Sequence, residues 1–235
     1  MRSVSRRLQF QAKHDREPPQ TTCYEYRVTE SMRFGPLIVR FDDQVLRPRP
    51  WTLAQATWAA ELSDDVPDGA ILELCAGVGQ IGLALASLVS RDLVLVDADE
   101  NACSHARANA VTAGLSARVD VRNGPLHGVL APDERFAFIL ADPPWVRSSD
   151  VARYPQDPVA AIDGGHDGLD LARTCADLIG HHLAHRGAAI LQIGDADQVT
   201  SMRSYLDSQP RIGLRVQDAH TPGDNGVLVR LVRRE

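Results

Sequence analysis

The sequence lacks several features that would assign it to other classes of protein. No apolar run approaches the length of a membrane-spanning helix, and the first residues do not lead into the apolar stretch of a signal peptide. The 4 cysteines are scattered without a CxxC pair, which argues against a disulfide framework. We therefore expect reduced thiols and a cytoplasmic protein without membrane contact.

Acidic residues outnumber basic ones in this chain, 31 to 25. The 235 residues carry a formal net charge of −6, which argues against an electrostatic grip on nucleic acid. Residues 1–20 hold a small basic cluster and fit a flexible tail, with a phosphate-binding arm as the alternative. That cluster consists of Arg2, Arg6, Arg7, Lys13 and Arg16.

From residue 70 onward, short apolar runs alternate with helical patterns. The predicted strands are 70–74, 93–96, 117–121, 136–141, 188–193, 213–216 and 227–232. The predicted helices are 80–89, 101–113, 168–185 and 196–209. This alternation predicts an α/β fold with a mostly parallel sheet. A Pro- and Gly-containing stretch joins the last two strands, so we expect a hairpin and an antiparallel final strand.

The segment before this pattern is too short to form a core of its own. It contains two possible strands, 24–28 and 37–41, and a helical pattern over 52–62. We expect an N-terminal appendage over residues 21–66, packed on a main domain over 67–235.

Asp142, Pro143, Pro144 and Trp145 directly follow the apolar run 136–141. Neither proline can donate to a strand ladder, so the strand must stop there. The carboxylate, the Pro143 carbonyl and the aromatic ring together could bind a flat group that carries an NH2. The alternative is a strand terminator with a buried tryptophan.

A glycine-containing turn follows strand 70–74. Residues 77–82 match GxGxxG, and Asp97 lies 20 residues after Gly77, as in dinucleotide-binding proteins. However, Glu73 precedes the turn and would repel a pyrophosphate, whereas it suits a cationic ligand. The residues therefore favour a cationic cofactor over NAD.

The spacing from Glu73 to Gly79 resembles the first motif of class I S-adenosylmethionine (SAM) methyltransferases. The resemblance implies SAM as cofactor and a Rossmann-like sheet of seven strands. It also implies that an acid holds the amino-acid part of SAM and that Asp97 holds the ribose. The implied cofactor-binding residues are Glu73, Cys75, Ala76, Gly77, Gly79, Gln80, Asp97, Ala98, Asn123 and Asp142.

Three stretches narrow the resemblance to the HemK/PrmC-type branch, which methylates glutamine amides in release factors. Arg49, Pro50 and Thr52 resemble its Pro-Arg-Pro-x-Thr segment, and Gly164 and Gly165 begin a stretch like its Gly-Gly-x-Asp-Gly-Leu-Asp. The resemblance implies that these five residues bind substrate. It also implies that Asp142, Pro143, Pro144 and Trp145 are catalytic.

The sequence departs from that branch at several positions. Its Asn-Pro-Pro-Tyr is Asp-Pro-Pro-Trp here, a usual glycine is Cys75, and its Leu-Glu-Ile-Gly is Leu-Gln-Ile-Gly at Gln192. The branch's N-terminal helical domain has no counterpart in these residues. The protein-amide acceptor therefore stands beside alternatives: an exocyclic amine of RNA or DNA, a small molecule, or a non-catalytic SAM-binding partner subunit.

We predict no metal site. His181 and His185 have helical spacing, but no third ligand accompanies them.

Overall fold

The computed structural model describes residues 29–223 and 225–234. Its first elements are the antiparallel strands β1 (Glu30–Phe34) and β2 (Leu37–Phe41). The main sheet contains β3 (Ile71–Leu74), β4 (Leu93–Asp97), β5 (Val119–Asn123), β6 (Phe136–Ala141), β7 (Leu183–Ile193), β8 (Leu214–His220) and β9 (Val227–Arg233). Its seven strands lie in the order β5-β4-β3-β6-β7-β9-β8.

The central strands are buried on both faces, as their continuous apolar runs require. Every residue of β3 and of β6 is buried, and both strands pair in parallel with their neighbours. β9 is antiparallel to both β7 and β8. The predicted α/β, Rossmann-like sheet with an antiparallel final strand is confirmed.

Helices cover both faces of this sheet and create two apolar cores. The helices are α1 (Leu53–Glu61), α2 (Gln80–Leu88), α3 (Glu100–Thr112), α4 (Val159–Ile162), α5 (Asp170–His182) and α6 (Ala196–Ser208). Residues of α1, α2 and α3 pack in one core, and those of α5 and α6 pack in the other. Within the described residues, no helix is long and apolar enough to cross a membrane.

The N-terminal segment adds to the first core. Phe34, Val39 and Phe41 of the β1–β2 hairpin are buried there together with residues of α2 and α3. The strand paired with the predicted strand 37–41 is β1, while the predicted strand 24–28 lies outside the described residues. The predicted tail 1–20 and its basic cluster also lie outside them.

Two boundary predictions are wrong, and one of them is the end of β8, which reaches His220 and not residue 216. The predicted helix 168–185 ends at His182, and β7 begins at the next residue, Leu183. The pairing of β6 with β7 shifts register between Phe136 and Phe138, and Arg186 adopts a left-handed φ of 63°. His185 therefore lies on a strand, so it does not share a helix face with His181.

Candidate active site

Three carboxylates meet at the carboxyl edge of adjacent strands. Glu73 lies in β3, Asp97 ends β4, and Asp142 directly follows β6. The sheet order places β3 between β4 and β6, so the three acids share one edge. This edge is where open α/β sheets bind ligands.

A tight turn joins β3 to α2 beside these acids. Cys75, Gly77 and Gly79 all have left-handed φ values, of 55°, 53° and 80°. Glycine adopts this region freely, whereas Cys75 does so at a steric cost. The Gly77 N–H donates to Asp97 Oδ2 at 2.7 Å, which ties the turn to the end of β4.

The acids are crowded and lack basic partners. Burial raises the pKa of Glu73 well above its usual range; the Gly82 N–H opposes this shift, and the charges of Asp142 and Asp97 add to it. Burial also raises the pKa of Asp97, and it raises that of Asp142 to about 7. Within the described residues, none of the three acids forms an ion pair.

This donor set fits SAM, whose sulfonium and ammonium groups are both cationic. Uncompensated carboxylates stabilise positive charge and repel a pyrophosphate. Gln80 adds a buried Oε1 atom that has no hydrogen-bond partner within the described chain. That acceptor lies 3.9 Å from the place a Cβ on Gly77 would occupy, beside the turn. These residues would hold the cofactor.

The other predicted cofactor residues lie around the same edge. Ala76 is buried and its N–H donates to Val96 O at 3.0 Å. Asn123 ends β5, and its Nδ2 donates to Ala98 O at 3.0 Å. This bond joins the end of β5 to the loop after Asp97. Contact of Ala76, Ala98 and Asn123 with SAM stays a prediction.

A cavity of about 210 Å³ opens beside Asp142. Its lining includes all four residues of the corner that the sequence singled out, together with residues before α1 and around α4. The lining residues are Leu46, Arg49, Trp51, Thr52, Asp142, Pro143, Pro144, Trp145, Val146, Tyr154, Asp157, Ala161, Ile162, Gln192 and Asn225.

Two acceptors in this corner are unused. No hydrogen bond joins the Asp142 carboxylate or the Pro143 carbonyl to another described residue, whereas Ala141 O accepts from Gln55 Nε2 at 3.1 Å. The Trp145 ring is held in place because it packs on Gly194, where an added Cβ would lie 2.8 Å from Trp145 Cε3. The corner therefore offers a carboxylate, a carbonyl and a fixed aromatic ring to one ligand.

The Pro-Arg-Pro-x-Thr segment forms another part of the cavity wall. Arg49 and Thr52 line the cavity, and Trp51 lies between them, whereas Pro50 is not among the lining residues. Arg49 Nη2 lies 2.6 Å from Asp157 Oδ1, which joins this segment to the loop before α4. The sequence did not single out Asp157 as a site residue, because its partner is 108 positions away.

Gly164 and Gly165 lie behind the corner and not in the cavity lining. The Gly164 N–H donates to Val146 O at 2.8 Å, and an added Cβ on Gly164 would lie 2.7 Å from Pro144 O. The two glycines thus permit close packing against the corner. Their predicted contact with substrate stays a prediction.

Two buried glutamines that the sequence did not indicate also support the site. Gln55 Nε2 donates to Ala141 O and, at 2.8 Å, to Ile190 O. Gln198 Nε2 donates to Trp145 O at 3.0 Å and to Asp167 O at 2.9 Å. A single glutamine in an amphipathic helix carries no local signal of such a role.

Comparisons with known proteins agree with this geometry. Residues 55–156 match the family model described as methyltransferase small domain. In fold, the chain is similar to a methyltransferase from Pyrococcus furiosus, with a TM-score of 0.61 at 15% identity over 84% of this chain and 89% of that one. The fold and the site together define a class I SAM-dependent methyltransferase.

Sequence relatives give the family. The chain is 32% identical over 204 residues to the release factor glutamine methyltransferase of Bradyrhizobium diazoefficiens, covering 80% of this chain and 68% of that protein. It is 29% identical over 174 residues to the ribosomal protein uL3 glutamine methyltransferase of Burkholderia pseudomallei, covering 66% of this chain and 54% of that protein. The chain belongs to the HemK/PrmC-type family. It spans only about half the length of the second relative.

Proposed function

We propose that this methyltransferase acts on the side-chain amide nitrogen of a glutamine in a protein. One observation carries the proposal. The Asp142 carboxylate and the Pro143 carbonyl face the cavity as unused acceptors, beside the fixed ring of Trp145. An NH2 group on a planar substrate has two hydrogens to donate and a flat face to stack.

The residues of the corner would prepare the nitrogen for attack. SAM, when bound, supplies the electrophilic methyl group. An amide nitrogen is a poor nucleophile because its lone pair is delocalised into the carbonyl. Hydrogen bonds from its two N–H groups to Asp142 and to Pro143 O would favour a pyramidal nitrogen with an available lone pair. Asp142 would then take up the proton, because its pKa of about 7 suits a base at neutral pH.

The cavity rim supports a protein acceptor over a nucleic acid. Arg49 pairs with Asp157, Arg147 with Asp195, and Arg153 with Asp150, so these three arginines are neutralised by acids. The exposed rim also carries apolar surface at Tyr154 and Val159. Paired arginines and apolar side chains suit a protein loop better than a phosphate backbone. The names of the two relatives above, a release factor and a ribosomal protein methyltransferase, support a cytoplasmic location for the proposed reaction.

The test is transfer of labelled methyl from SAM to three separate acceptor pools: ribosomal proteins with release factors, total RNA, and small molecules. We expect label in protein, recovered as methylated glutamine after digestion. Asp142→Ala should abolish transfer while leaving SAM affinity within about threefold. Val111→Ala, an exposed position on α3, serves as the matched control and should be fully active. Label confined to RNA or to small molecules would contradict the proposal.

A further inference from the structure

Gln192 lies beside Asp142 in the acceptor cavity. β6 and β7 pair in parallel with Ala141 opposite Leu191, so the next residues along the two chains are Asp142 and Gln192. In-register neighbours on adjacent strands direct their side chains to the same face of the sheet. Both residues line the cavity, and Gln192 is only 2% exposed.

The side-chain amide of Gln192 is a buried polar group without a use in the described structure. No other described residue makes a hydrogen bond with it, in contrast to Gln55 and Gln198, whose amides bind backbone groups. Burying an amide without hydrogen-bond partners costs free energy, so such a group usually has a partner in a bound ligand or water. The Gln192 side chain borders the cavity, so a ligand bound there could be that partner.

A primary amide needs a donor that Asp142 and Pro143 cannot supply. Its NH2 group donates twice, but its carbonyl oxygen accepts, and a carboxylate and a backbone carbonyl are acceptors only. Two polar groups of the cavity are engaged: Arg49 binds Asp157, and Thr52 Oγ1 donates to Arg49 O at 2.9 Å. Trp51 Nε1 and the Gln192 amide line the cavity as donors without a partner among the described residues, and Gln192 is the one beside Asp142.

We propose that Gln192 is a positioning residue whose Nε2–H group donates to the carbonyl oxygen of the acceptor amide. The proposal rests on the proposed function and specifies how the same cavity recognises its substrate. Such a bond orients the amide in the ground state but does not make its nitrogen more nucleophilic, so it contributes to binding and not to the attack itself. Its loss should therefore raise KM more than it lowers kcat.

The two side chains also complement each other in charge. Asp142 and Gln192 place one carboxylate and one amide side by side in the cavity lining. Two adjacent buried carboxylates would repel each other, and two amides would lack the negative charge.

The experiment is steady-state kinetics on a glutamine-containing protein acceptor with Gln192→Met, which removes the donor at similar volume. We expect KM for the acceptor to rise about tenfold, kcat to change less than threefold, and SAM affinity to stay within twofold. Gln209→Met, the same exchange at an exposed position outside the cavity lining, is the control and should leave KM within twofold. Trp51→Phe removes the other unpartnered donor of the cavity, Nε1, while keeping a ring, and it should raise KM less than Gln192→Met does.

A double-variant comparison tests the coupling. Asp142→Asn and Gln192→Glu should each lower kcat/KM strongly, and the double variant should recover at least tenfold over the weaker single variant. Additive losses, an unchanged KM in Gln192→Met, or the full effect in Trp51→Phe would overturn the role of Gln192. If wild-type protein transfers no methyl to any protein amide, the proposed function fails first, and the role of Gln192 fails with it.

Discussion

The backbone N–H of Gly82 donates to Glu73 Oε2 at 2.9 Å, so the first turn of α2 is bonded to an acid that is 1% exposed. Burial raises the pKa of this acid, and the nearby Asp142 and Asp97 add to the rise. A raised pKa in the folded state means that ionisation of Glu73 destabilises the fold as pH increases. The acid is therefore retained at a cost in stability, which is typical of a functional group.

We expect Glu73→Gln to separate stability from cofactor binding. Glutamine keeps the shape and the hydrogen bond from Gly82 but removes the charge, so the free energy of unfolding at pH 8 should stay equal or rise. SAM affinity should fall at least tenfold if Glu73 belongs to the proposed cofactor site, because that site would lose one of its three acids. Calorimetric titration with SAM measures this change. An unchanged affinity would remove Glu73 from the cofactor site.

A second prediction concerns pH. Because burial raises the pKa of Asp142 to about 7, its ionised form accumulates only as pH rises through that value. We expect kcat/KM to increase with pH and to level off above about 7, since the ionised carboxylate is the proton acceptor. The pH profile of Asp142→Asn should lack this rise. A wild-type profile that is flat from pH 5 to 9 would contradict the assigned role.

The raised pKa of Asp142 also predicts that stability falls as pH rises, whereas activity increases. The folded state holds the Asp142 proton more tightly than the unfolded state, so stability falls as pH rises from about 4 to about 7. A shift from 3.8 to about 7 corresponds to at most about 4 kcal/mol. Urea denaturation of wild type and Asp142→Asn across this range should show that the substitution removes part of the decline. If the unfolding free energies of the two proteins changed with pH in parallel, the raised pKa of Asp142 would be contradicted.

The ion pair between Arg49 and Asp157 should matter for acceptor binding. Its two side chains are 29% and 12% exposed and both residues line the cavity, so loss of either leaves a partly buried charge unpaired. We expect Arg49→Ala to raise the acceptor KM about tenfold and to leave SAM affinity unchanged. The exposed pair Arg107–Glu100, at 2.9 Å, is the control, and Arg107→Ala should change neither constant.

Gly164 should not tolerate a side chain. An added Cβ would lie 2.6 Å from Gly168 O and 2.7 Å from Pro144 O, so the backbone of the corner would have to move. We expect Gly164→Ala to lose about 2 kcal/mol of unfolding free energy and most of its activity. Gly213→Ala has open space and carries only left-handed strain, so it should lose about 1 kcal/mol and stay active. Equal effects of the two substitutions would refute the packing argument.

Local pattern was enough to predict the sheet and its functional edge. The apolar runs of β3 and β6 predict central strands, and both strands are fully buried. The ends of the apolar runs also predict that Asp97 and Asp142 lie at strand ends. The boundary after α5 was missed because Gly187 resembles a helix stop, whereas the chain leaves the helix at His182 and adopts an irregular strand around Arg186.

The supporting contacts could not be predicted, because they join distant parts of the chain. Gln55 bonds to Ile190 O across 135 positions, and Gln198 reaches Trp145 O across 53. No periodicity or motif marks which polar side chain on a helix faces the sheet. Only the packing of the whole domain determines that.

The two hydrogen bonds donated by the Gln55 amide limit which N-terminal segments can be joined to this catalytic sheet during evolution. Its Nε2 donates to the carbonyl oxygen of Ala141, at the end of β6, and to that of Ile190, within the neighbouring strand β7. A foreign N-terminal segment joined to the same sheet would need a side chain that donates to both carbonyl groups. Without one, two buried carbonyl groups beside the reaction centre would lose a hydrogen-bond donor. Exchange of substrate-recognising segments among related enzymes is therefore restricted to those that bring a matching amide.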